Sequence, residues 1–62
     1  MSKHRIPLEL TSDEAEALAQ LLKRITYTTY RQHAVSDDEA YLMKDAGHAV
    51  SKALREAGFY PR

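Results

Sequence analysis

The sequence predicts an all-α domain: an antiparallel helical hairpin with a minor middle helix and a short N-terminal extended arm. Three observations carry that prediction. Two stretches repeat apolar residues at spacings of three and four, the period of one helix face. Each is preceded by a Ser/Thr-x-x-Glu start signal, Thr11 with Glu14 and Ser36 with Glu39. The second stretch stops at Gly58, with Pro61 beyond it, as helix ends do.

The arm comes first. Ile6, Leu8 and Leu10 alternate with Pro7 and Glu9. Period-two alternation reads as a short strand or as an extended arm lying on the helices. Pro7 has no amide hydrogen to donate, so any strand here is an edge.

The first helix is predicted over residues 12–26. Thr11 and Glu14 form a capping box worth about 1 kcal/mol. Asp13, Glu14 and Glu16 suit the positive end of the helix dipole, and Lys23 and Arg24 the negative end. The apolar stripe is Ala15, Leu18, Leu22 and Ile25, widened by Leu21.

The segment from Thr26 to Val35 mixes β-branched and aromatic residues, which lower helix propensity. Two readings stay open. Either Thr28 caps a short helical turn that carries Tyr30 and Ala34, or the first helix runs on to about residue 31.

The last helix is predicted over residues 37–57. Ser36 and Glu39 supply a second capping box, and Asp37 and Asp38 add charge to the first turn. The stripe Ala40, Met43, Gly47, Val50, Leu54 and Ala57 forms a single a/d-type seam. An interior glycine costs up to about 1 kcal/mol relative to alanine. At Gly47 that cost predicts close approach of another backbone, from the first helix or from a second subunit. A homodimer is therefore among the expected assemblies.

With 62 residues the chain is expected to make one domain, residues 1–62. A domain this short buries only about 60% of the surface its unfolded chain exposes, so marginal stability is expected. Cysteine is absent, which excludes disulfides, thiolate metal sites and cysteine nucleophiles. Nine basic residues balance nine acidic ones. A neutral chain lacks the basic excess of general nucleic-acid binders and is poorly suited to anionic membranes. The apolar stretches are too short to span a bilayer. The basic start, Lys3-His4-Arg5, has no apolar run behind it, so no signal peptide is expected and the expected compartment is cytoplasmic.

Candidate chemistry is sparse. Asp45, His48 and Ser51 follow one another at intervals of three and are neighbours on a helix. One Asp-x-x-His pair is half of a bundle metal site at most, and a serine nucleophile needs a pocket and an oxyanion hole. These residues read as a solvated face, and His33 as a surface loop histidine. No catalytic residue, metal ligand or cofactor site is expected.

Two groups read as binding surfaces instead. Tyr27, Tyr30 and Tyr41 surround the inter-helix connection, with Arg24 and Arg31 close by, the composition of an interface hot spot. Alternatively two of these tyrosines close the open end of a small core. Asp37, Asp38, Glu39 and Asp45 make an acidic end able to imitate nucleic-acid phosphates. Capping and dipole complementarity already account for Asp37 to Glu39.

The run Lys3-His4-Arg5-Ile6-Pro7-Leu8-Glu9-Leu10-Thr11 resembles the strand and first-helix start of ribbon-helix-helix repressors. That resemblance implies a dimer whose paired strands enter the major groove with Arg5, Pro7 and Glu9 outward. The chain departs from the pattern at Pro7 and Glu9, and in its long connection before Ser36. A wider resemblance runs from Leu10-Thr11 and Glu14-Ala15 through Ala17-Leu18-Ala19, Leu22-Lys23-Arg24, Tyr30-Arg31 and Ala34-Val35. It continues through Asp38 to Met43 and Asp45-Ala46-Gly47, and ends in Ala57-Gly58-Phe59-Tyr60-Pro61-Arg62. It is similar to short uncharacterised proteins of proteobacteria and their mobile elements, which carry no activity over. In size and setting these resemble phage-encoded anti-CRISPR proteins.

The expectation is therefore a non-catalytic protein that binds and inhibits a host protein or ribonucleoprotein complex, plausibly a CRISPR surveillance complex. The candidate contact residues are Tyr27, Tyr30, Arg31, Asp37, Asp38 and Asp45. Direct binding to nucleic acid or membrane is not expected. The alternative from another class is a dimeric ribbon-helix-helix-like DNA-binding regulator.

Overall fold

A computed structural model describes residues 3–61. Among them are three helices, α1 (Ser12–Arg24), α2 (Tyr27–His33) and α3 (Asp37–Glu56), and no strand. The all-α class is as the sequence predicts. Residues 3–10 form an exposed arm without regular structure.

At the start of α1 the capping box is complete. Thr11 Oγ1 accepts from the Glu14 amide at 3.1 Å, and Glu14 Oε1 accepts from the Thr11 amide at 2.9 Å. Those two bonds, the backbone one first, hold the Glu14 carboxyl below its ordinary pKa. The helix stops at Arg24, two residues before the predicted end. Ile25 is extended (φ −72°, ψ 129°) and so is Thr26, which turns the chain into α2.

The middle helix is real, but its cap is not Thr28, which lies inside it. Thr26 holds the N-cap position without a side-chain capping bond, its hydroxyl 3.4 Å from that of Thr29. Ala34 is the C-cap rather than a helical residue.

For α3 the start is Ser36, whose Oγ accepts from the Glu39 amide at 3.2 Å. The predicted reciprocal bond is shifted by one residue: Glu39 Oε1 accepts from the Val35 amide at 3.1 Å, not from Ser36. Both carboxylate and hydroxyl still satisfy otherwise unpaired donors. Ser36→Ala is expected to cost about 1 kcal/mol, read as a lower melting temperature. An unchanged melting curve would show that the Val35–Glu39 bond alone fixes this helix start.

The other end of α3 is a Schellman motif. Ala57 is the C-cap, and Gly58 has φ +93°, a conformation that suits glycine. The Gly58 amide donates to Arg55 O at 2.9 Å and the Phe59 amide to Leu54 O at 2.8 Å. This folds Phe59 back onto Leu54, the apolar contact that accompanies such caps.

The hairpin closes where the seams meet. Ala15 and Ala19 at the start of α1 pack with Leu54 near the end of α3, flanked by Leu18, Leu22 and Phe59. Leu22, further along α1, reaches Gly47 in the middle of α3. The two helices therefore run antiparallel. Leu21, expected to widen the α1 stripe, is instead 52% exposed, and Ala19 takes the inward position. On α3, Ala40, Gly47 and Leu54 are buried, while Val50 and the C-cap Ala57 are open on one side. That side is a groove of about 330 Å³ bordered by Ile6, Leu8 and Leu10 of the arm, and all its lining residues are apolar.

Candidate interaction site

The corner where α2 meets α3 gathers most of the predicted contact residues. Tyr27 and Arg31 stand four apart on α2, and Asp37 and Tyr41 four apart on α3, so each pair shares a helix face. The corner brings the faces together. The Tyr27 and Tyr41 rings lie 5.0 Å apart at 35°, and the Tyr27 hydroxyl donates to Asp37 Oδ1 at 3.4 Å. Arg31 Nε donates to the same oxygen at 2.6 Å, and Arg31 Nη1 donates to Ala34 O at 3.1 Å, which closes the end of α2.

Electrostatically the corner is a neutralised pair on the surface. Partial burial, then the charge of Asp37 and the neighbouring Tyr41, hold the Tyr27 hydroxyl above its ordinary pKa. The phenol therefore stays a donor at neutral pH. The Arg31 and Asp37 side chains are 44% and 74% exposed, and exposed pairs contribute about 0.2–1 kcal/mol. The pair fixes geometry more than stability.

The remaining candidates divide. Asp38 is exposed beside Asp37. Asp45 is exposed on the same face of α3, about one turn beyond Tyr41. Tyr30 points into the hairpin: it is half-buried, with its hydroxyl above Gly47. Tyr41, at 55% exposure, joins the cluster in its place. The spacing of Asp37 and Tyr41 on one helix face was the signal that could have assigned it.

His48 and Ser51 border a second open cleft, of about 390 Å³, whose rim also carries Lys52 and Arg55; Asp45 does not line it. His33 ends α2 rather than sitting in a loop. Among the described residues no three His, Asp or Glu side chains are grouped to hold a metal ion.

A family model matches residues 1–62 along the whole chain. The chain belongs to DUF7706, a family of unknown function. No curated protein matches it. No solved structure matches it either. No helix among the described residues of this DUF7706 chain is long and apolar enough to cross a membrane.

Proposed function

We propose that this DUF7706 protein is a non-catalytic binding protein that acts in the cytosol by occupying the surface of a larger host complex. The reading rests on one observation. The α2–α3 corner presents two tyrosines in tilted ring contact, an arginine and an aspartate, joined by hydrogen bonds at the surface. Tyr and Arg supply large contact area at low entropic cost, and a pre-formed cluster loses little freedom when it docks. Asp38 and Asp45 extend a negative margin on α3 beyond the cluster, suited to a basic groove. Complexes that handle nucleic acid carry such grooves, and inhibition of a CRISPR surveillance complex is the specific form of the proposal.

The test is binding kinetics against the complex captured from a bacterial host, with blocking of target DNA as the functional readout. Arg31→Ala is expected to speed dissociation, because it removes a central anchor and frees Asp37. Asp45→Lys is expected to slow association, more so at low salt, because an exposed charge acts mainly on encounter. Circular dichroism should show both variants folded, since neither residue belongs to the core. Parental kinetics in both variants would remove the corner and the acidic margin as the interface. Salt-dependent binding of the parent to duplex DNA would replace the proposal with a DNA-binding regulator.

A further inference from the structure

The lone chain is too open for its mass. It exposes 5426 Å². A compact monomer of 7.1 kDa is expected to expose about 4,100 Å². The excess of about 1,300 Å² exceeds the roughly 800 Å² that each partner gives to a standard interface. Its radius of gyration is 12.5 Å, against about 10.6 Å for a compact chain of this length.

Part of that exposure lies on one face, while Val35, Leu42 and Tyr60 are exposed outside it. Ile6 is 81% exposed and Leu8 68%, and they border a groove without a single charged or polar lining residue. Among the described residues, the backbone of residues 3–10 enters none of the backbone hydrogen bonds. An extended arm with free donors and acceptors and an apolar edge is a surface that another chain completes.

We infer that the arm and its groove form a self-association surface, covered by the same face of a second copy of this chain. The ridge of arm side chains and the groove lie side by side. A two-fold axis therefore sets each copy's ridge against the other's groove. The net charge of zero opposes no such pairing. Nothing charged in the groove lining has to be stripped of water. The surface includes the end of α3 and lies away from the corner at its start, so this inference stands independently of the proposed partner contact.

The experiment is sedimentation of the full chain from micromolar to near-millimolar concentration, with melting curves at each. The parent is expected to sediment at twice 7.1 kDa and to melt higher as concentration rises. Leu8→Asp is expected to weaken association by at least about 100-fold, since it places a charge in the dry interface. The gentler Leu8→Ala is expected to weaken it by about tenfold. Leu42, 64% exposed on α3 but outside the groove lining, is the control: Leu42→Asp should associate like the parent. Leu8 lies outside the buried cluster of the lone chain, so unfolding of Leu8→Asp at concentrations where the parent is folded also supports the inference. A parent that stays at 7.1 kDa throughout would overturn it. So would open-ended assembly, or dimers that survive Leu8→Asp but not Leu42→Asp.

Discussion

Leu54→Ala is expected to unfold the domain. Leu54 is 7% exposed, and the other members of its buried cluster are Ala15 and Ala19. It is the one large side chain at the centre, with Leu18, Leu22 and Phe59 packed around it. Truncating a buried leucine costs about 2–5 kcal/mol, through lost transfer energy and the cavity left behind. Single cores of this size rarely supply more than about 3–5 kcal/mol, so nothing is left over. Relaxation cannot fill the gap, because two of the neighbours are alanines. The Leu54 carbonyl also accepts the Phe59 amide in the C-terminal cap, which ties Phe59 to the same site. Far-UV circular dichroism at fixed concentration checks the expectation, with Leu21→Ala as control. Leu21 is 52% exposed, and its truncation should stay within about 0.5 kcal/mol. A Leu54→Ala variant as helical and as heat-resistant as the parent would show that stability resides elsewhere, in the covered face of a dimer before all.

Much of the fold was legible because local chemistry sets it. Thr11 with Glu14, Ser36 as a cap, and Gly58 before Phe59 are decided within a few residues, and each sits where its spacing puts it. The misses arise where distant packing decides. Leu21 and Ala19 both lie near the α1 stripe, and only the close approach to α3 selects the smaller residue. Thr28 looked like a cap by residue type. The break in the chain instead came at Ile25 and Thr26, with no capping bond to announce it. The arm's alternation was legible, but what covers it lies outside the single chain.

The site divides along the same line. That the tyrosines and Arg31 crowd the inter-helix connection follows from their positions in sequence. Which of them turn outward depends on the angle between α2 and α3. Tyr27 meets the Tyr41 ring at a tilt and bonds to Asp37, while Tyr30, three residues on, faces α3. Loss of binding in a Tyr30 variant would therefore report on packing. Arg31, half-exposed and weakly coupled to stability, is the cleaner probe of the surface.

That division has its own test at Gly47. Helix propensity alone says that Gly47→Ala stabilises α3 by about 1 kcal/mol. The geometry says the opposite. A Cβ on Gly47 would overlap the Tyr30 hydroxyl and lie 3.2 Å from the ring carbon that bears it, with Leu22 Cδ2 at 3.6 Å. The ring is rigid and cannot bend its tip aside alone, so the whole Tyr30 side chain must rotate out of its site or α2 must shift from α3. Overpacking of this kind costs about 1–3 kcal/mol, which outweighs the propensity gain. Gly47→Ala is expected to lower the melting temperature, by about 4–8 °C for each net 1 kcal/mol in a domain of this size. Tyr30→Phe removes the overlapping oxygen and leaves the 3.2 Å approach, which a shift of a few tenths of an ångström relieves. In that background Gly47→Ala should be neutral or stabilising. The four melting curves close a double-mutant cycle with a coupling of about 1–2 kcal/mol. If alanine at position 47 raises the melting temperature equally in both backgrounds, Tyr30 does not rest on Gly47, and its hydroxyl is free to join the surface cluster after all.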